Sequence, residues 1–267
     1  MSEIKEYEIS SMSEILKLLE EEINVDDNTL FRGHNLLSWK LEPKIARPDF
    51  NYRTNTTNEQ TLLETFKRHA KKHLSKEPED DWDYLSLAQH HGMATRLLDW
   101  TKNPLTALWF CVYKPTIEEY GAVWVLQVED GNFIDASVIA ESRKPNPYLK
   151  TAAVFEKILY DSPLGNWGKV FVFQPHYLNQ RIINQHAWFT VHSFKDDNKT
   201  HRELTTESDF SNKLTKIKIP KAAFSEIRST LDTLGINKMS LFPDLDGVAN
   251  YAEWLHTTLP DEPSEII

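Results

Sequence analysis

The sequence predicts a mixed α/β (α+β) fold in which a mainly antiparallel central sheet is flanked by helices. Three observations lead there. Several segments repeat apolar residues at helical spacing. Others alternate or run apolar as strands do. No stretch between them reads as a linker. A length of 267 residues suits one large domain or two small ones, and without a linker we read a single domain over 1–260. Asp261 to Ile267 reads as a short loose tail.

The elements follow in order. Lys5 to Ile9 is a short strand. Ser11 or Ser13 can cap a helix that carries Ile15, Leu16, Leu19 and Ile23 on one face. Thr29 to Gly33 is a strand ending in a turn, and Asp49 to Asn58 is a polar surface loop. Thr57 or Asn58 opens a helix reaching about Leu74, with Leu62, Leu63, Phe66 and Ala70 at helical spacing. Asp80 or Asp81 caps the next helix, which runs to His91, where Gly92 stops it. A short connection leads to Asn103 and Pro104, a cap followed by proline in the first turn, and then a helix bearing Leu105, Leu108, Trp109 and Val112. Strands are expected at Ala122 to Val128, Val170 to Phe173, Trp188 to His192 and Leu214 to Ile219. Helices are expected at Tyr148 to Leu159, Ala222 to Leu234 and Asp246 to Leu259, and the second half of the chain should pair mainly antiparallel.

Composition narrows the functional classes. Hydrophobic residues make up 40% of the chain, enough for a sizeable core. A net charge of -10 repels phosphate backbones, which argues against broad nucleic-acid binding through a basic face while leaving room for a local basic pocket. The single cysteine, Cys111, sits in an apolar run and reads as a buried structural thiol, unable to form an internal disulfide or a Cys-based zinc site. The N-terminus shows no signal-peptide pattern, and no apolar run approaches the roughly 20 residues that span a bilayer. These features lead us to expect a cytoplasmic protein with no membrane partner.

Four segments place polar groups where packing alone would not. In Phe31-Arg32-Gly33-His34 an arginine ends a strand, next to a glycine that permits close approach of backbone or ligand. The stretch from Leu85 to Thr101 is denser, setting Gln89, His90, Thr95, Arg96 and Asp99 among apolar residues. Arg96 and Asp99 could pair, as a brace or to aim Arg96 at a ligand. His90 and His91 point about 100° apart on a helix, so a shared metal is a poor fit. In the third segment Arg181 and Gln185 precede a strand with Trp188, Thr190 and His192 on one face. In the fourth, Phe242-Pro243-Asp244-Leu245-Asp246-Gly247, a helix N-terminus accounts for at least one aspartate. No phosphate-loop, dinucleotide-binding or nucleophile-elbow motif occurs, which argues against P-loop ATPases, Rossmann dehydrogenases and α/β-hydrolases.

These segments together resemble the FRG domain family, named for a Phe/Tyr-Arg-Gly motif, here Phe31-Arg32-Gly33. The likeness continues through Trp39 to Pro43 and Arg47, Ala88 to Gly92, Thr95 to Pro104, Arg181 with Gln185, Phe189-Thr190 and Phe242 to Leu245. His91 replaces a usual aromatic and Ala187 a usual glycine. The resemblance implies a bacterial or phage setting linked to mobile elements and antiphage defence, and brings no catalytic assignment with it.

Three functional readings remain open. The first is an enzyme acting on NAD or a related nucleotide, an ADP-ribosyltransferase-like or NAD-cleaving effector or toxin. Its candidate catalytic residues are Arg32, His90, Arg96, Asp99 and Gln185, with Gln89, Thr95, Trp100, Phe189 and Thr190 holding the nucleotide. Arg32 and Arg96 would clamp anions, His90 would serve acid–base chemistry or hydrogen bonding, and Gln185 would orient. NAD would be a substrate, with no permanently bound cofactor and no metal. The second is a nuclease or phosphoryl-transfer enzyme, using His90 or Mg²⁺ held by Asp99, Asp244 and Asp246. The third is a non-enzymatic module that senses a nucleotide or a phage protein. The expected partners are a small nucleotide or a protein target, with room for a regulating partner or inhibitor protein.

Overall fold

The two faces of the central sheet carry different cores, because successive side chains of a strand point to opposite sides. The computed structural model describes residues 4–54, 58–74, 77–129, 133–135, 164, 168–195 and 200–262. Its strands are β1 (Lys5–Glu8), β2 (Thr29–His34), β3 (Leu97–Thr101), β4 (Tyr120–Gln127), β5 (Phe133–Asp135), β6 (Val170–Gln174), β7 (Ala187–His192) and β8 (Leu214–Pro220). They form one eight-stranded sheet in the order β1-β8-β4-β2-β3-β7-β6-β5. The inner pairings are antiparallel, and the outermost pairs, β1 with β8 and β5 with β6, are parallel. The mixed, mainly antiparallel architecture expected from the sequence is present.

The helices are α1 (Met12–Glu21), α2 (Glu59–Ala70), α3 (Asp81–His90), α4 (Pro104–Val112), α5 (Gln180–Asn184), α6 (Ser208–Ser211), α7 (Phe224–Thr233), α8 (Lys238–Leu241) and α9 (Leu245–Leu255). Local signals explain their starts. Ser11, Asn58, Asp80 and Asn103 each accept a first-turn backbone N–H, and Pro104 follows Asn103. Gly92 ends α3 at φ +82, a left-handed conformation that glycine adopts without strain. The expected helix at Tyr148 to Leu159 lies outside the described residues.

Three apolar clusters hold the layers together. On one face of the β1-β8-β4-β2 half, α1, α4 and α7 pack Ile15, Leu108, Phe224 and Ile227 against Phe31, Val123, Val125 and Ile217. On the β3-β7-β6 half, α2 and α3 place Leu63, Trp82 and Leu85 over Leu97, Phe171, Phe173, Phe189 and Val191. The opposite face is continuous across both halves, from Leu214 and Trp124 through Leu30 to Leu98, Trp100 and Val172. Cys111 is fully buried in the first cluster, as its apolar surroundings suggest.

The motif around Arg32 divides its work among these layers. Phe31 is buried in the first cluster. Gly33 lets α4 lie directly on β2, since a Cβ there would sit 1.8 Å from the Ala107 carbonyl oxygen. The close approach that the sequence foretold is therefore backbone on backbone.

Several elements depart from expectation. Leu97–Thr101 is a strand, not a connection. The short helices α5 and α8 and the strand β5 were not anticipated. The final helix closes at Leu255, short of Leu259. Asp261 and Glu262, read as the start of a loose tail, grip the buried Arg228: Asp261 Oδ2 lies 2.7 Å from Nη2 and Glu262 Oε1 2.6 Å from Nη1.

Candidate functional site

The sheet parts at its centre. β2 pairs with β4 at six positions and β3 with β7 at five, yet β2 and β3 share only Phe31↔Thr101. Beyond that pair the two strands diverge, and the edge of β3 from Leu97 to Asp99 is left without a strand partner on that side. A short turn, Lys44–Ala46, fills part of the gap, with Ile45 N–H donating to the Thr95 carbonyl at 3.5 Å. A cavity of about 210 Å³ remains along this edge. Its lining includes Lys44, Arg47, Gln89, Leu98 and Asp99.

A chain of hydrogen bonds borders this cavity. Thr95 Oγ1 accepts from Leu97 N–H at 3.1 Å and donates to Gln89 Oε1 at 2.6 Å. Gln89 Nε2 donates to Asp99 Oδ2 at 2.9 Å. Arg32 Nη1 donates to the Asp99 carbonyl at 2.6 Å and lies 3.7 Å from its carboxylate. Arg32 Nε donates to His34 Nε2 at 2.8 Å. Asp99 is oriented by amide and guanidinium while its side chain stays 55% exposed, against 12% for Arg32.

The electrostatics follow from burial. Arg32 is brought down to about 10, chiefly by desolvation, with Arg47 adding to the effect and Asp99 opposing it. His34 is held well below its ordinary value by burial and by the cations Arg32 and Arg47, so it stays neutral and can accept from Arg32. Arg47 rests its guanidinium on Trp39, 5.7 Å from the ring centroid. Lys44 Nζ donates to the Gly92 carbonyl at 2.8 Å.

A second charged group adjoins Asp99. Arg181, at the start of α5, stacks on Phe242 at 4.1 Å, and both Asp99 and Asp244 favour its charged form against the cost of burial. His90 meets His91 edge-on at 5.4 Å. Desolvation, then Arg181 and His91, push His90 down to about 3. A neutral, buried His90 cannot act as a proton donor near neutral pH, so the acid role weighed for it does not fit its setting. Gln185 ties segments together: its Nε2 donates to the Leu241 carbonyl at 3.0 Å and its carbonyl accepts from Thr101 Oγ1 at 2.6 Å.

The sequence candidates thus divide. Arg32, Gln89, Thr95 and Asp99 come together at the cleft, with His90 and Gln185 packed nearby as neutral and tethering groups. Arg96 does not join them. It is 1% exposed, and its Nε donates to Glu59 Oε2 at 2.8 Å while its backbone N–H donates to Glu59 Oε1 at 3.0 Å. Its partner is therefore Glu59, not Asp99, and an anion clamp at Arg96 is not what its burial supports. Trp100, Phe189 and Thr190 are also buried away from the cleft. Trp100 Nε1 donates to Thr190 Oγ1 at 3.0 Å, and Thr190 Oγ1 lies 2.9 Å from His192 Nε2. His192 Nδ1 donates to the Arg202 carbonyl at 2.6 Å, which leaves Nε2 to accept from Thr190. This chain is complete within the core. Phe189 packs between Phe173 and its neighbours.

Sequence reasoning gave no site role to Lys44, Arg47 or Glu59. The signal for the first two was present: Pro43 and Pro48 fence a four-residue turn with a cation at each end. Asp244 caps α9, its Oδ1 accepting from Gly247 N–H at 2.7 Å. Among the described residues no group of three or more His, Cys, Asp or Glu is arranged to hold a metal, so Asp99, Asp244 and Asp246 do not form such a set. No helix of the described residues is long and apolar enough to cross a membrane.

Fold and cleft together define a mixed α/β protein with a polar, cation-lined gap in the middle of its sheet. The FRG domain family model matches residues 27–119, so this stretch of the chain is similar to that family. The matched span ends where β4 begins and contains Arg32, Lys44, Arg47, Gln89 and Asp99, whereas Arg181, Gln185 and Phe242 lie beyond it. No curated protein and no solved structure matched the chain.

Proposed function

We propose that this chain binds the phosphate groups of a nucleotide in the gap between β2 and β3, and acts there on NAD or a related nucleotide as an effector in antiphage defence. The observation that carries this reading is the lining of the gap. Lys44 and Arg47 face a cavity that Asp99 and Gln89 also border, with Arg32 hydrogen-bonded behind Asp99. Cations with fixed donors suit phosphate oxygens, and a carboxylate beside them suits a ribose hydroxyl or a positive charge developing on the sugar. In NAD cleavage the N-glycosidic bond breaks and nicotinamide leaves with the bonding pair. The anomeric carbon then takes an oxygen from water or a target group, which gives up its proton. Asp99, aimed by Gln89 and still exposed, is the residue to stabilise that carbon. The defence setting rests on the family resemblance.

One observation favours a second reading, a sensing module that binds without turnover. Arg32, Gln89 and Thr95 are already joined in one network, and His90 is neutral and buried. A single experiment separates the two. The protein is incubated with NAD, nicotinamide release is followed, and melting temperature is recorded with and without NAD. We expect release, reduced about tenfold or more in Asp99→Asn. A rise in melting temperature without release would transfer the function to the sensing module. Neither release nor a rise would overturn nucleotide recognition at this cleft.

A further inference from the structure

Phe242 carries two cations. Arg181 places its guanidinium carbon 4.1 Å from the ring centroid, and Lys238 its Nζ at 3.5 Å. The ring is held in place: Trp109 and Phe110 pack against it at 6.0 and 6.1 Å. Gly247 permits α9 to start directly against the Phe242 carbonyl, 1.8 Å from where a Cβ would stand. Two side-chain amides fasten α5 to α8, Asn184 Nδ2 donating to the Ser240 carbonyl at 2.7 Å and Gln185 Nε2 to the Leu241 carbonyl at 3.0 Å. The two cations are therefore presented by a fixed platform.

Among the described residues the acids that act on the two cations, Asp99, Asp244 and Asp246, do so at a distance and without a hydrogen bond. Arg181 Nε is buried and makes no hydrogen bond there. Asp244, which acts on both cations, caps α9 through Oδ1. Like charges on one ring repel, and Arg181 depresses the Lys238 ammonium below its ordinary value on top of the effect of burial. An arrangement of this kind is relieved by an anion that bridges the pair. Gln185 also ties the platform to β3, its carbonyl accepting from Thr101 Oγ1 at 2.6 Å, two residues from the Asp99 that lines the β2–β3 cavity.

We propose that Arg181 and Lys238 bind a second phosphate of the nucleotide held in the gap, which makes the ligand a nucleoside diphosphate or dinucleotide in preference to a monophosphate. The identity of the ligand as a nucleotide rests on the function proposed above; the anion site itself does not. Four probes test it by thermal shift and calorimetry: AMP, ADP, NAD and inorganic pyrophosphate. ADP and NAD should bind about tenfold or more tightly than AMP, because charge-assisted contacts to the second phosphate are added. In Arg181→Gln/Lys238→Gln that advantage should vanish while AMP affinity is kept. Arg181→Lys should restore it in part, by charge without the fork. An unchanged ADP-to-AMP ratio in the double variant would overturn the proposal. If the wild type binds neither nucleotide, the cleft reading fails and pyrophosphate decides: binding lost in the double variant sustains the anion site, and no binding removes it. Since neither side chain makes an ion pair among the described residues, the unliganded double variant should melt close to wild type; if it does not fold, Lys238→Gln alone is compared.

Discussion

Arg96 and Arg32 each face a carboxylate, and the contrast between them separates a brace from a site. Arg96 and Glu59 are 1% and 5% exposed and meet at 2.8 Å, and Glu59 also takes the Arg96 backbone N–H. Arg32 and Asp99 are 12% and 55% exposed, and their charged groups stand 3.7 Å apart. In the first pair every bond closes inside the protein. In the second, the carboxylate is aimed but not consumed. An ion pair that is buried and complete contributes to holding the chain together, whereas one open to a cavity retains capacity for a ligand.

The comparison breaks most readily at Glu59. Glu59→Ala leaves the Arg96 charge buried without its carboxylate and should cost about 3–5 kcal/mol, measured by urea unfolding. A loss under about 1 kcal/mol, the size of an exposed pair, would remove the distinction between the two arginines.

Acid sharpens it next. His192 and His201 lie in the electrostatic reach of Arg96 and are depressed by burial to about 4 and about 3. Each folded-state value lies below the unfolded one, so the unfolded chain binds protons first as pH falls. Stability from these groups is complete above the unfolded value and declines below about pH 6.5, by about 2 kcal/mol for each histidine at pH 5. Melting temperature recorded from pH 7 to pH 5 should fall; a flat profile would show that the core around Arg96 is not dry.

The smallest effect on stability belongs to Asp99. Asp99→Asn keeps an acceptor for Gln89 and loses a long, half-exposed pairing with Arg32 and a weaker attraction to Arg181, so unfolding should shift by about 1 kcal/mol or less. The same variant is the one expected to lose nicotinamide release. A destabilisation as large as that of Glu59→Ala would place Asp99 among the braces.

Much of this contrast was legible in the residues, and the part that was not has a geometric cause. The Asn103-Pro104 start, the Gly92 stop and the alternation from Leu214 to Ile219 depend on local chemistry and appear where expected. Leu97–Thr101 did not read as a strand because Asp99 interrupts its apolar run. That interruption is tolerated because the Asp99 side chain is half-exposed at the cavity. Arg96 and Asp99 looked like partners because they are near in sequence. Extended chain sends residues three apart to opposite faces, so Arg96 met Glu59, 37 positions earlier, and Asp99 met Arg32. Lys44 and Arg47 owe their place to a turn wedged into a gap that no single segment encodes.

Arg32 also stands in for a missing neighbour in the ladder. Where β2 stops pairing with β3, the Asp99 carbonyl loses the amide that would normally meet it, and a guanidinium N–H takes that place. The side chain is therefore a surrogate peptide group as much as a charge, serving a main-chain acceptor and an imidazole through separate nitrogens at once. Lysine would bring the same charge on a single atom and satisfy one of these claims at the expense of the other. The middle letter of the motif is specified by shape, through the seam it closes.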